Sequence, residues 1–421
     1  MGNYKELWTK LGVDLEKHDK LCAVLPEMYG NTYLTQENRP QGMNYFNSVV
    51  AEIHGFRIQE LDELKKKGTK VVGTFCVFVP DEIILAAGAV GVGLCAGSEF
   101  WVEDGEKVLP RNMCPLIKAL MGAKVGGTCP YFQSCDMIIG ETTCDGKKKA
   151  WEVLDKYVPV HVMEIPQMKR DKDYKLWASE IKEFINKMEE LTGNKITVES
   201  LKAAMKTVSE KRKALKRLYD LRKYKPSPIS GLDSLLISQI AFYDDPERFT
   251  QKLNELCDEL EERVKEDKGN CGTKKRILIT GTPMALPNWK LHSIIESLDA
   301  EVVVEENCTG TRYFENQVSS EGETMEQLIT NISDRYLNIN CACFTPNTGR
   351  IDDIVRYVKE YNIDGVIDAD LAFCHTYAVE SSSVEKELKD RNIPIMHIET
   401  DYSTEDSGQI KTRVEAFLEM L

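Results

Sequence analysis

Two stretches of this 421-residue chain alternate short apolar runs with longer helical patterns, and that alternation constrains the fold more than any other feature. The first begins at Lys70-Val-Val-Gly-Thr-Phe75, short and apolar enough for a buried strand. A helix start follows at Pro80–Gly88, where proline and acids precede apolar residues. Further strands are expected at Val90–Leu94, Met137–Gly140 and Val158–Met163, with helices at Cys114–Met121 and Lys147–Tyr157. The second stretch begins at Arg276–Gly281 and carries strands at Glu301–Val304, Gly365–Ile367 and Ile395–Ile398. Its helices are expected through Leu291–Leu298, Met325–Leu337, Ile351–Tyr361, Val384–Asp390 and Val414–Met420.

Strands that alternate with helices build doubly wound parallel sheets, and a chain of this length divides into several units. The expected fold class is therefore α/β: two Rossmann-like (flavodoxin-like) parallel-sheet domains with helical N-terminal and middle regions. The expected boundaries are 1–65 for the N-terminal helical segment, 66–166 for the first α/β domain, 167–270 for the helical region and 271–421 for the second α/β domain. In the middle region Trp177, Ile181, Phe184, Ile185 and Met188 recur at helical spacing, and Leu201, Met205 and Val208 follow a Thr197 cap. The basic run Lys211–Lys225 reads as a solvated helix face.

The net charge of −14 argues against a nucleic-acid partner, whose phosphates need a basic face. The most apolar run, Ile83–Gly97, is glycine-broken and shorter than the ~20 residues of a membrane span, and the opening residues carry no signal-like run. A soluble, cytoplasmic protein without a membrane partner is expected. No P-loop run and no well-placed dinucleotide fingerprint occur.

Thirteen cysteines, an odd number in a large chain, do not form a disulfide framework. Most follow the carboxyl ends of predicted strands, where open parallel sheets bind their ligands. Cys76, Cys95 and Cys144 follow strands of the first stretch, and Cys308 and Cys374 follow strands of the second. Cys114 opens a helix, and Cys341 and Cys343 precede one. Thiols from both halves would then face one cleft, with helix N-termini favouring anionic sulfur. Cys22, Cys257 and Cys271 read as small apolar residues, and Cys129 and Cys135 make no compact metal motif. Zinc sites favour tight cysteine pairs, and Cys341-Ala-Cys343 is the only close pair, so dispersed thiolates fit an iron–sulfur cluster better. His375 and Tyr377, next to Cys374, are candidate catalytic proton donors. Glu82 and Glu141 read as helix-capping or surface carboxylates.

These residues also carry a resemblance. Cys76-Val-Phe-Val-Pro-Asp-Glu-Ile-Ile-Leu-Ala-Ala-Gly-Ala89, Asn112-Met-Cys-Pro-Leu-Ile-Lys118, Gly140–Lys149 and Ile398-Glu-Thr-Asp-Tyr402 resemble the 2-hydroxyacyl-CoA dehydratase and benzoyl-CoA reductase superfamily. Glu306-Asn-Cys-Thr-Gly310, Cys341-Ala-Cys-Phe-Thr-Pro-Asn347 and Phe373–Glu380 look most like its double-cubane cluster proteins. The resemblance implies an oxidoreductase: a homodimer holding an [8Fe-9S] double cubane through six cysteines and reducing small molecules, acetylene among them. It also implies an ATP-hydrolysing activator with its own [4Fe-4S] cluster as electron donor. The ligand set expected on this basis is Cys76, Cys114 and Cys144 for one cubane and Cys308, Cys343 and Cys374 for the other, with Cys95, Cys129 and Cys341 in reserve. Two alternatives stay open. One is a dehydratase or reductase subunit with a single [4Fe-4S] cluster and an acyl-CoA substrate; the other is a non-catalytic electron-storage or zinc-stabilised protein.

Overall fold

The computed structural model describes residues 4–94, 96–266, 268 and 274–421. Cys95 and Cys271 therefore lie outside the described residues. Two sheets of four parallel strands form the frame. The first comprises β1 (Val71–Thr74), β2 (Val90–Gly93), β3 (Met137–Glu141) and β4 (Val160–Met163), in the spatial order β2-β1-β3-β4. The second comprises β5 (Lys275–Gly281), β6 (Ala300–Glu306), β7 (Gly365–Leu371) and β8 (Ile395–Thr400), in the order β6-β5-β7-β8. The wiring repeats: the first strand of each sheet pairs with its second on one side and its third on the other. Chain direction across the sheet reverses at that point, and there the crevice outside the carboxyl ends opens.

Parallel strands need helical crossovers, which cover both faces and make the strands apolar throughout. β1 and β3 are buried along nearly their whole length, and β5, β6 and β7 almost completely. Gly281 closes β5 with φ +118°, and a Cβ there would lie 2.2 Å from the Ala369 carbonyl of β7, so only glycine fits.

Helices Lys5–Lys10, Leu15–Tyr29, Met43–Ala51 and Phe56–Lys66 form the N-terminal layer. Helices Asp171–Thr192, Val198–Leu221, Gly231–Ile240 and Pro246–Lys265 form the middle. One hydrophobic core runs through both sheets and these helices. Among the described residues, no helix is long and apolar enough to cross a membrane.

The basic run is only in part the solvated face expected from its composition, with Lys213 and Lys225 exposed. Lys211, Arg212 and Arg222 are buried. Arg212 Nη1 donates to Glu82 Oε1 at 2.7 Å and its Nη2 to the Tyr336 hydroxyl at 2.7 Å, while that hydroxyl donates to Glu82 Oε2 at 2.6 Å. Glu82 is thus a buried carboxylate joining helix Asp81–Ala86 of the first half to the middle helices and to helix Met325–Leu337 of the second. Arg222 pairs with Glu305 of β6 at 2.9 Å, both fully buried. Glu141 is likewise buried, paired with Lys147. A buried charge persists only with such a partner, which the local sequence does not reveal.

Candidate active site

The carboxyl ends of the two sheets face a common cavity of about 1140 Å³. Cys76, Cys114, Cys144, Cys308, Cys341, Cys343 and Cys374 all line it, together with His375 and Tyr377. Each half contributes through the same device, a strand end or turn feeding a helix N-terminus. Cys114 is the N-cap of Pro115–Val125, Cys144 of Asp145–Leu154 and Cys374 of His375–Asp390. Cys76 follows β1, and Cys308 lies between β6 and the short helix Thr311–Phe314. Backbone N–H groups point at these sulfurs: Leu116 and Ile117 at Cys114, Gly146 and Lys147 at Cys144, and Tyr377 at Cys374. The Lys147 N–H to Cys144 Sγ distance is 3.4 Å. Unfilled donors and positive dipole ends at a helix start favour sulfur as an anion.

The thiols do not neighbour one another half by half, as the expected trios would have them. Cys374 hydrogen-bonds with Cys114, and Cys144 stands beside that pair. Cys76 faces Cys308 and Cys341, and Cys343 hydrogen-bonds with Cys341. Neighbours therefore cross between the sheets. Cys129 also lines the cavity, but the charges acting on it and on Cys135 place those two near Lys124 and each other. Cys257 is fully buried in the apolar core, as expected.

Burial pushes the Cys76 and Cys308 thiols up to about 12. Two cations oppose that shift. Lys147, itself paired with Glu141, pulls Cys76, Cys114 and Cys308 down, and Arg312 pulls Cys308 and Cys341 down. The hydrogen bond from Cys343, aided by Arg312 and Tyr377, takes Cys341 down to about 5 despite its burial.

Arg312 is the hub of a buried network beneath the cavity. Its Nε and Nη2 donate to Glu306 at 2.5 and 2.7 Å, and its Nη1 donates to the Tyr377 hydroxyl. Arg350 donates to the same carboxylate at 3.2 Å and to the Thr280 hydroxyl at 2.8 Å. A guanidinium only donates, so the phenol oxygen accepts from Arg312 and is free to donate to Cys341 Sγ, 3.6 Å away. The structure thus seats Tyr377 in the network, whereas His375 is exposed at the start of its helix. Lys147, Arg312 and Arg350 escaped the sequence reading. The available signal was a cation three or four residues beyond Cys144 and Cys308.

The donor set fits a polynuclear iron–sulfur group: many thiols from separate loops, backbone N–H donors, and buried cations to balance sulfide charge.

Residues 76–421 match the family model described as 2-hydroxyglutaryl-CoA dehydratase, D-component. A protein of Escherichia coli K12, provisionally named dehydratase subunit YjiM, is 41% identical over 85% of this chain and 93% of its own length. The (R)-phenyllactyl-CoA dehydratase beta subunit of Clostridium sporogenes is 25% identical over 90% of this chain and 98% of its own. One of the subunits of the Thauera aromatica benzoyl-CoA reductase is 24% identical over 81% of this chain and 87% of its own. The chain belongs to the 2-hydroxyglutaryl-CoA dehydratase D-component family, within the superfamily of 2-hydroxyacyl-CoA dehydratases and benzoyl-CoA reductases.

Proposed function

We propose that the chain is the reductase component of an ATP-driven system, holding an [8Fe-9S] double cubane in the cavity between its sheets. The observation that carries this is that seven of the nine cavity-lining thiols converge from both sheets' carboxyl ends, more than one cubane needs. Cys76, Cys114, Cys144, Cys308, Cys343 and Cys374 would hold the group, with Cys341 as the adjacent seventh thiol. When bound, it would supply low-potential electrons, received from an ATP-hydrolysing [4Fe-4S] activator and passed to small molecules such as acetylene. The functional unit is a homodimer in this reading.

The chain's own residues prepare the site. Lys147 and Arg312 hold positive charge against the sulfurs, and the helix N-termini add N–H donors. Tyr377 acts as a positioning residue through Cys341 and Arg312. His375, exposed on the cavity wall, would deliver protons in this reading. Largely apolar surroundings, including Trp8, Trp101 and Trp289, limit water.

Iron and acid-labile sulfide per chain, on protein prepared without oxygen, test the reading. About eight irons with slightly more sulfide is the expected result. About four irons, with retained acyl-CoA, would replace it with a single-cubane dehydratase subunit. Colourless protein would overturn both.

A further inference from the structure

We propose that His18, Cys22 and His54 form a second metal site, built for one zinc-class divalent ion and open on one side to the cavity. All three residues precede the portion of the chain that matches the family. Their ligand atoms lie within 4.8 Å of one another, in a group separate from the seven thiols.

The arrangement follows from local structure. His18 and Cys22 are four residues apart on helix Leu15–Tyr29, so both side chains project from one helix face. His54 approaches from the turn between helices Met43–Ala51 and Phe56–Lys66. His18 Nε2 is 2.9 Å from His54 Nδ1, and Cys22 Sγ is 3.7 Å from His18 Nε2. Around a tetrahedral zinc ion with bonds of ~2.0–2.1 Å to nitrogen and ~2.3 Å to sulfur, such pairs stand roughly 3.3 and 3.6 Å apart. The sulfur is 3.7 Å from both ring nitrogens of His18, so that ring must turn to aim Nε2 at a shared ion, and the imidazoles must open by a few tenths of an ångström.

The rings are also held in place. Trp8 donates its indole N–H to the His54 carbonyl at 2.7 Å and packs against the His18 ring, tilted by 57° with centroids 4.2 Å apart. One tryptophan thereby fixes the His54 backbone and packs against the His18 ring. His18 is fully buried, whereas Cys22 and His54 line the cavity. Three protein ligands and an accessible side are the pattern of zinc sites that keep a coordination position for water or substrate.

Binding balances simply. The proton shared between His18 and His54 moves to the outer nitrogen of one ring, the Cys22 thiol releases its proton, and the ion takes both freed lone pairs and the thiolate.

The test uses full-length protein carrying its iron, incubated with equimolar zinc sulfate without oxygen and desalted. Metal content by mass spectrometry should show about one zinc per chain, and zinc-edge X-ray absorption about one sulfur at ~2.3 Å with nitrogen or oxygen at ~2.0 Å. Cys22→Ser and His54→Gln should each lower zinc affinity at least tenfold, with iron content and far-UV circular dichroism unchanged. No retained zinc, equal retention in His54→Gln, or a shell of three or four sulfurs would overturn the proposal. The last outcome would place the zinc among the cavity thiols. Because the one-sulfur shell is diagnostic whatever the iron content, failure of the cluster assignment and failure of this site remain distinguishable.

Discussion

Replacing Glu305 by glutamine should unfold the second sheet at markedly lower denaturant, although the side chain barely changes in size. Glu305 sits on β6, fully buried, and accepts four hydrogen bonds: Tyr219 Oη at 2.6 Å, Arg222 Nη1 at 2.9 Å, Arg222 Nη2 at 3.0 Å and His292 Nε2 at 3.0 Å. A carboxylate has lone pairs for all of these, whereas a carboxamide has one acceptor oxygen and an NH2 that must face donors. Arg222 would also lose its counter-charge, and breaking one side of a buried pair costs about 3–5 kcal/mol. The titration behaviour leads to a similar figure. Burial pulls the Glu305 carboxyl up, but Arg222 and His292 more than offset it and hold it down at about 2. Against an ordinary 4.5, that gap corresponds to ~3 kcal/mol.

A depressed carboxyl stabilises the fold above its unfolded pKa, so this contribution is complete above 4.5 and lost as pH falls through 2. With a urea slope of about 1–3 kcal/mol/M, Glu305→Gln should lower the far-UV circular-dichroism midpoint by ~1 M or more at pH 7, and by much less at pH 2.5. Glu305→Leu combined with Arg222→Met removes both charges and should recover about half the loss. A midpoint within ~0.3 M of wild type at pH 7, or a double variant weaker than the single, would refute the reasoning. The consequence extends to the cavity, because β6 delivers Cys308.

In metal-free protein, Cys343→Ala should raise the pH midpoint of Cys341 alkylation more than Tyr377→Phe does, because the Cys343 hydrogen bond is the larger influence on Cys341; the reverse order would contradict the geometry. Lys147→Met should slow alkylation of Cys76 and Cys308 several-fold at pH 8, since it removes a charge that favours both thiolates, and equal rates would show that charge to be screened. Gly122→Ala should lower the thermal midpoint despite a helix-propensity gain of ~1 kcal/mol. The new Cβ would lie 1.8 Å from the Trp101 carbonyl and displace the helix that Cys114 caps.

The strands were readable wherever an apolar run was short and followed by a helix start, as at β1, β3 and β5. The outer half of β7 was not. Asp368 and Asp370 lie beyond the expected strand Gly365–Ile367, yet both are buried in β7, near Arg350 and His397. Composition misled for the same reason at Arg212 and Arg222, whose partners Glu82 and Glu305 lie far away in sequence. The thiols at strand ends were visible because parallel sheets place their loops at one edge. Their pairing across halves, such as Cys114 with Cys374, depends on how the sheets face each other, and no local pattern records that.

The placement of those thiols also sets a schedule for biosynthesis. Cys76, Cys114 and Cys144 leave the ribosome with the first sheet, but their neighbours Cys308, Cys341, Cys343 and Cys374 are translated only near the end. At ~5–20 residues per second, the first sheet waits on the order of tens of seconds for the rest. During that interval the thiols of the first sheet stand without the four that complete their end of the cavity. If the cavity holds the cluster proposed above, its insertion would have to follow translation of Cys374 and act on a folded surface rather than a growing polypeptide.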